Sequence, residues 1–100
     1  MKVTYKVIFD KIGLMRYISH LDLMRLFQRS LRRTGFPLYL TKGFNPHPVI
    51  RVHNALKLGL IGEDLEGEFI LESEIDKTEV ITSLRHEMPE GIKIKRVEVI

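Results

Sequence analysis

A stretch with helical periodicity, residues 19–34, constrains the fold most strongly, because only one side of such a helix can face water. Gly35 is typical of the residue that ends a helix, and Pro37 prevents its continuation. The apolar side must therefore be covered by a sheet or by another helix. Residues at helical spacing predict that this side is wide and consists of Leu21, Leu23, Met24, Leu26, Phe27 and Leu31.

Alternation with period two predicts strands on both sides of this helix. Residues 3–9 alternate apolar and polar side chains, which is typical of a half-buried strand, and Asp10 to Gly13 is predicted to turn. Asp76 can cap a second helix that ends before Pro89. Further strands are predicted at residues 36–41, 49–56, 68–75 and 92–100, with a hairpin connection over 59–67 and the second helix over 77–88.

The order β-α-β-β-α-β predicts an α+β fold of the ferredoxin-like, split βαβ type. Two right-handed crossovers place both helices on one face of an antiparallel sheet and leave the other face open. Residues 36–56 are long enough to form an extra hairpin within this order, and a small mixed sheet carrying that hairpin is the alternative. The chain has 100 residues, which fits a single domain over residues 1–100.

Charge is divided unevenly along the chain. Residues 1–60 carry eleven Lys or Arg against two Asp or Glu, whereas residues 61–100 carry five against eleven. Such a division predicts an anionic partner for the first part, nucleic acid rather than a membrane surface. The alternative is that the acidic part neutralises the basic part within the fold.

Composition excludes several kinds of chemistry. Without cysteine the chain has no disulfide, no thiolate ligand for zinc or iron–sulfur clusters, and no cysteine nucleophile. We expect neither a bound metal nor a cofactor. No apolar run is long enough to span a membrane, and the first residues lack the features of a signal peptide. We therefore expect a cytoplasmic protein that does not contact the membrane.

Four arginines are the first candidate binding group. Arg25, Arg29 and Arg32 recur at helical spacing, with Arg33 beside them, so they share the exposed side of the first helix. Like charges at this spacing repel, and the guanidinium group suits phosphate. Pairing with acidic residues of the second part, such as Glu63, Asp64 or Glu66, is the alternative.

The segment TKGFNPHPVI, residues 41–50, is the second candidate. A rigid turn explains the glycine and the two prolines, because proline fixes its own backbone and restricts its predecessor. It does not explain Phe44, Asn45 and His47, nor the neighbouring Lys42. An aromatic ring, an amide and an imidazole presented near arginines are typical of a site for a base or a phosphate.

The start of the first helix is the third candidate. Ser19 can cap the free amide groups, and Asp22 lies near the positive end of the helix dipole. We expect the 41–50 segment to pack beside this turn, with His47 or Asn45 within hydrogen-bonding reach of Ser19, His20 or Asp22. His20 and His47 are then weak candidates for acid–base catalysis, since no relay geometry follows from the sequence.

The open face of the sheet is the last candidate. Lys6 is predicted to point away from the helices, with Lys93 and Lys95 on the neighbouring strand. Sheets of this type bind single-stranded RNA in the RRM through stacked aromatics. The outward-facing positions here lack an aromatic pair, so the diagnostic residues of an RRM are missing.

Residues 19–48 resemble the bacterial DUF2344 family of radical-SAM-linked proteins. The family's hallmarks are a SHLDLMR helix start, an arginine-rich RALRR-like continuation and an SxGFNPHP-like loop. They match Ser19 to Arg25, the arginines at 29, 32 and 33, and Lys42 to Pro48. The resemblance implies a partner, a radical S-adenosylmethionine enzyme encoded beside or fused to the protein. It implies no reaction, and family members are commonly longer.

Three functions remain open from the sequence. The first is a non-catalytic accessory protein that binds structured RNA, tRNA or rRNA, for the radical SAM enzyme. The second is a metal-independent ribonuclease that uses His20 or His47. The third is a subunit that contacts only protein, through its arginines or an edge strand.

Overall fold

The structure, a computed structural model, describes residues 1–53 and 62–100 of the chain. A short 3₁₀ helix at Gly13–Tyr17 joins the first strand to the first helix. In chain order the other elements are β1 Val3–Lys11, α1 His20–Thr34, β2 Ile50–Val52, β3 Gly62–Leu71, α2 Lys77–Glu87 and β4 Ile92–Val99.

The four strands form one antiparallel sheet in the order β2-β3-β1-β4. Strands that are not consecutive in the chain are neighbours in the sheet, as two βαβ crossovers require. The predicted ferredoxin-like α+β fold is therefore confirmed. Within the described ranges, no helix is both long and apolar enough to cross a membrane.

The core lies between the sheet and the two helices, where the predicted alternation of β1 places its apolar side chains. Tyr5 and Phe9 are fully buried. The Tyr5 ring stacks on Phe69 of β3 at 5.4 Å between centroids, and Phe9 meets Phe27 of α1 edge-on at 5.0 Å. Aromatic pairs in these arrangements add to the stabilisation from burial alone. The first pair joins β1 to β3, and the second packs α1 against the sheet.

The predicted limits of α1 and α2 are confirmed by their caps. Ser19 Oγ accepts a hydrogen bond from the Asp22 amide at 3.1 Å, and Gly35 ends α1 with φ +79°. The side chain of Asp76 accepts from the Thr78 amide at 3.1 Å at the start of α2. One apolar assignment is wrong, because the Leu21 side chain is 58% exposed.

Two predicted turns are parts of strands. Asp10 and Lys11 extend β1, and residues 62–67 belong to β3, where they pair with β1 instead of forming a hairpin connection. Local glycines and acids predicted a turn, but the ladder accommodates them with a register shift near Asp64, whose φ is +53°. The predicted strand end over 54–56 and residues 59–61 of the predicted connection lie outside the described residues.

The edge strand is interrupted by the 41–50 segment. Leu38 pairs with Leu71, and the Tyr39 amide donates to the Ile70 carbonyl at 3.1 Å. Ile50 then pairs with Phe69, the next residue of β3. The chain therefore leaves the sheet after Tyr39 and returns one ladder position further on. We call residues 40–49 the inserted loop; it forms the extra hairpin expected within residues 36–56.

Tyr5→Phe should destabilise the fold by about 3 kcal/mol. The Tyr5 hydroxyl donates to the Ile75 carbonyl at 2.7 Å and accepts from the Ile75 amide at 2.6 Å, so its removal leaves two partly buried backbone groups unsatisfied. Urea unfolding measures the change. Tyr17→Phe, at a side chain that is 55% exposed, is the control and should stay within about 0.5 kcal/mol of wild type. Equal effects of the two substitutions would contradict this role of Tyr5.

Candidate nucleic-acid interface

The inserted loop is closed at its base by backbone contacts. The Val49 amide donates to the Tyr39 carbonyl at 3.3 Å, and Leu40 forms a bridge with Pro48. The Thr41 amide donates to the His47 carbonyl at 2.8 Å one step further out. These contacts hold a narrow hairpin whose tip spans residues 42–46.

The tip presents an aromatic ring to solvent. Phe44 is 104% exposed, so its side chain contributes nothing to the core. Its neighbours Lys42 and Asn45 are also exposed. Gly43 has φ +130°, a conformation that side chains disfavour, and it shapes the tip immediately before the ring. The predicted presentation of this segment agrees with its exposure.

His47 fastens the two arms of the hairpin to each other. Its amide donates to Thr41 Oγ1 at 3.2 Å. Its ring Nδ1 lies 3.0 Å from the same hydroxyl oxygen and 3.1 Å from the Asn45 carbonyl oxygen. The imidazole therefore has a structural role through Nδ1, although the side chain as a whole is exposed.

The inserted loop lies against the second half of α1. Arg32 donates from Nη2 to the Pro46 carbonyl at 3.0 Å. This hydrogen bond uses one of the five N–H donors of the guanidinium group. It brings the loop and the arginine-bearing side of α1 into one surface, as their proximity in the sequence had suggested.

The four arginines do not act as one stripe. Arg25 forms an exposed ion pair with Asp22 at 3.5 Å, and exposed pairs of this kind contribute little to stability. Arg29 is exposed between Arg25 and Arg32 on the same side of the helix. Arg33 turns towards α2, where its Nε lies 2.8 Å from Glu87 Oε2. Arg25, Arg29 and Arg32 therefore share the exposed side of α1, where Arg32 contacts the inserted loop, and Arg33 joins the two helices.

The Arg33–Glu87 pair is an ion pair between the basic and the acidic part of the chain, which was the alternative to phosphate binding. The acid differs from those expected, which were Glu63, Asp64 and Glu66. A hydrogen bond from Arg33 lowers the pKa of the Glu87 carboxyl, and the neighbouring His86 acts in the same direction. Asp64, one of the acids expected to pair with arginine, instead receives Lys95 Nζ at 2.7 Å.

The predicted hydrogen bonds between the loop and the start of α1 are absent. Among residues 1–53 and 62–100, neither Asn45 nor His47 forms a hydrogen bond to Ser19, His20 or Asp22; the ring of His47 instead contacts Thr41 and Asn45.

The topology explains this difference. The inserted loop leaves the sheet at Leu38–Tyr39, and Leu38 pairs with Leu71, which also pairs with Val3 at the start of β1. The chain enters α1 after Lys11, at the other end of β1. Eight residue steps of a strand separate these ends by about 26 Å. The loop meets Arg32 instead, ten residues beyond Asp22 and about 15 Å further along the helix axis.

The open sheet face is not a basic strip. Lys6 pairs across the ladders with Glu68 and Glu98, and its Nζ lies 3.4 Å from the Glu98 carboxylate. The expected neighbours Lys93 and Lys95 are not beside it, because Lys93 pairs with Asp10. The charges of this face alternate in sign, which does not suit a polyanion.

A charge cluster at the bulges of β1 was missed from the sequence. Lys95 lies 2.7 Å from Asp64 and 3.6 Å from Asp10, and the Asp64 amide donates to Asp10 Oδ1 at 2.9 Å. The hydrogen bond between Lys95 and Asp64 lowers the pKa of the Asp64 carboxyl and raises the pKa of the Lys95 ammonium. The register shifts of β1 against β3 and β4 bring these residues together. The spacing of residues along the sequence therefore does not reveal the cluster.

A second exposed surface is apolar. Leu14, Tyr17 and Leu21 are each more than half exposed, and they follow β1 in the 3₁₀ helix and the first turn of α1. The signal in the sequence was the GLMRY segment, residues 13–17, which lies between the turn predicted at residues 10–13 and the first helix. This surface lies at the end of β1 away from the inserted loop. Within the described ranges, no three His, Asp or Glu side chains are placed to hold a metal ion.

The chain belongs to the family described as "Uncharacterized protein conserved in bacteria (DUF2344)", whose model matches residues 4–100. This match confirms the resemblance to DUF2344 that the motifs of residues 19–48 carry. Comparisons with curated proteins and with solved structures gave no match.

Thr41→Val should loosen the inserted loop and leave the fold intact. The substitution preserves side-chain shape but removes the oxygen that accepts from the His47 amide. Hydrogen exchange of the His47 amide should become about tenfold faster, because the amide has lost its acceptor and exchanges through local opening of the loop. Global stability should change by less than about 0.5 kcal/mol. Thr82→Val on exposed α2 is the control, and unchanged exchange at His47 would contradict the fastening role of Thr41.

Glu87→Gln should reduce stability in a pH-dependent way. Because Arg33 lowers the pKa of folded Glu87, the ionised form stabilises the fold above the ordinary pKa of glutamate, about 4.3. That stabilisation is lost as the pH falls through the lowered value. In urea unfolding at neutral pH and in acid, the free energy of unfolding of wild type should therefore exceed that of Glu87→Gln by more at neutral pH. A difference that is independent of pH would show that Glu87 acts through packing.

Proposed function

We propose that this DUF2344 protein is a non-catalytic accessory protein that binds structured RNA, tRNA or rRNA, through the inserted loop and the exposed arginines of α1. The observation that carries the proposal is the complete exposure of Phe44 at the tip of a hairpin whose base is closed. A rigid, solvent-facing aromatic ring is a platform on which an unpaired base can stack.

The exposed arginines on the same side of α1 as Arg32, which contacts the inserted loop, support a polyanionic partner. Arg25 and Arg29 are exposed, four residues and therefore about 6 Å apart along the helix axis. Arg32 lies nearest to the loop and keeps free N–H donors beside its bond to Pro46. Lys42 adds a charge at the tip. Bases and phosphates of one RNA segment would thus meet Phe44 and the arginines respectively.

The partner and the cellular setting are part of the same proposal. The family resemblance supports a radical S-adenosylmethionine enzyme as the partner to which the RNA is presented. Such a role places the protein in the cytoplasm and requires no cofactor of its own. The exposed apolar residues Leu14 and Tyr17 of the 3₁₀ helix lie at the end of β1 away from the inserted loop and leave the loop accessible.

The ribonuclease alternative has less support. Metal-free cleavage of RNA needs a base and an acid that act on one phosphodiester. His47 and His20 belong to opposite ends of the fold, so they do not supply that pair. A protein-only role would use the same arginines against an acidic surface. Pull-down with and without nuclease separates that role from RNA binding.

Removing the ring or one arginine should weaken binding in different ways. With a labelled tRNA and fluorescence anisotropy, Phe44→Ala should raise Kd about 5- to 150-fold, since stacking contributes about 1–3 kcal/mol per base. Arg29→Ala should make the negative slope of log binding constant against log salt concentration shallower by about 1, because one phosphate contact is lost.

Matched controls and a clear negative accompany this measurement. Leu14→Ala removes another exposed apolar side chain, outside the loop, and Arg96→Ala removes an arginine of the open sheet face that pairs with Glu98. Both should bind RNA like wild type. Absence of binding at low salt with tens of micromolar protein, or equal losses in all four variants, would refute the proposal.

A further inference from the structure

The contacts of His47 Nδ1 favour one of the two neutral tautomers of its ring. Nδ1 lies 3.1 Å from the Asn45 carbonyl oxygen, and a carbonyl oxygen can only accept. A bare Nδ1 there would place one lone pair against another. Thr41 Oγ1, 3.0 Å away, can accept from the same N–H. Both contacts are satisfied together by the neutral tautomer with its proton on Nδ1, and the inference below uses this tautomer.

This tautomer leaves Nε2 as a bare acceptor. Within residues 1–53 and 62–100, no hydrogen bond engages Nε2, and the His47 side chain is exposed. A bare nitrogen repels phosphate oxygens, which are acceptors themselves, so neutral His47 is not a phosphate ligand. Nε2 of neutral His47 instead requires a ligand that donates a hydrogen bond. The inserted loop holds the ring in place through Nδ1, so the acceptor is fixed before binding.

We propose that His47 Nε2 accepts a hydrogen bond from the 2′-hydroxyl of a ribose, so that the inserted loop distinguishes RNA from DNA. The inference rests on the proposed RNA binding and adds the group that is recognised. Phe44, three residues away in the same loop, stacks a base without regard to its identity. The sugar of that nucleotide or of its neighbour is then the nearest donor, and the 2′-hydroxyl is the group that DNA lacks.

Binding of one stem-loop in three forms tests the inference. The loop nucleotides carry ribose, 2′-fluororibose or deoxyribose, while the stem stays unchanged. The 2′-fluoro form keeps the sugar conformation of RNA but cannot donate. Wild-type protein should bind the ribose form about three- to tenfold more tightly than the 2′-fluoro form, the range expected for one hydrogen bond.

His47→Asn is the matched variant. The asparagine amide nitrogen takes the place of Nδ1, so the donor to the Asn45 carbonyl remains while the outward acceptor is lost. This variant should bind ribose and 2′-fluoro forms with equal affinity, close to that of wild type for the 2′-fluoro form. Thr41→Val, which loosens the loop, should weaken all three forms.

The tautomer is measured independently by nitrogen NMR of the free protein at neutral pH, where the proton should be on Nδ1. A proton on Nε2 would overturn the inference. Equal wild-type affinity for the ribose and 2′-fluoro forms would overturn it too, while RNA binding itself would stand. If wild type binds none of the three forms, the proposed function and this inference both fall.

Discussion

The surface that we assign to RNA depends on how the outer edge of β3 pairs with the two chain segments that flank the inserted loop. Beta-strand β3 pairs with Leu38 and Tyr39 on one side of the inserted loop and with Ile50 on the other. Because these pairings occupy consecutive ladder positions, the intervening residues 40–49 have no place in the sheet and must project from it. The projection occurs where α1 ends, so Arg32 can reach Pro46. Loop, arginines and exposed ring become one surface through this constraint.

Most of the fold could be predicted from the sequence, because its determinants are local. The alternation in residues 3–9 and the caps at Ser19 and Asp76 act over a few residues, and the structure contains the corresponding elements. The turn predicted at residues 10–13 and the hairpin connection predicted at 59–67 were wrong where β1 and β3 extend through them, because pairing between these strands outweighs the preferences of single glycines and acids. Ladder pairing is a long-range effect that no short window of sequence contains.

The candidate site was predictable in its parts but not in its arrangement. Exposure of Phe44 and the helical spacing of the arginines followed from composition and periodicity. The expected hydrogen bonds from Asn45 or His47 to Ser19, His20 or Asp22 did not form, because they depended on which end of β1 the loop leaves. Arg33 likewise turned to Glu87, an acid 54 residues away whose position depends on the packing of α2 against α1. Such pairings are set by topology and therefore appear only in three dimensions.

The central claim is that RNA meets the inserted loop and the exposed side of α1, and nitrogen-labelled protein titrated with tRNA tests it most directly. The account predicts that amide shift changes concentrate at residues 40–48 and on α1 from Arg25 to Arg32, and that they disappear at high salt. The open sheet face around Lys6 and the apolar residues Leu14 and Tyr17 should not respond. Shift changes centred on either of those two surfaces, with the inserted loop unaffected, would contradict the account.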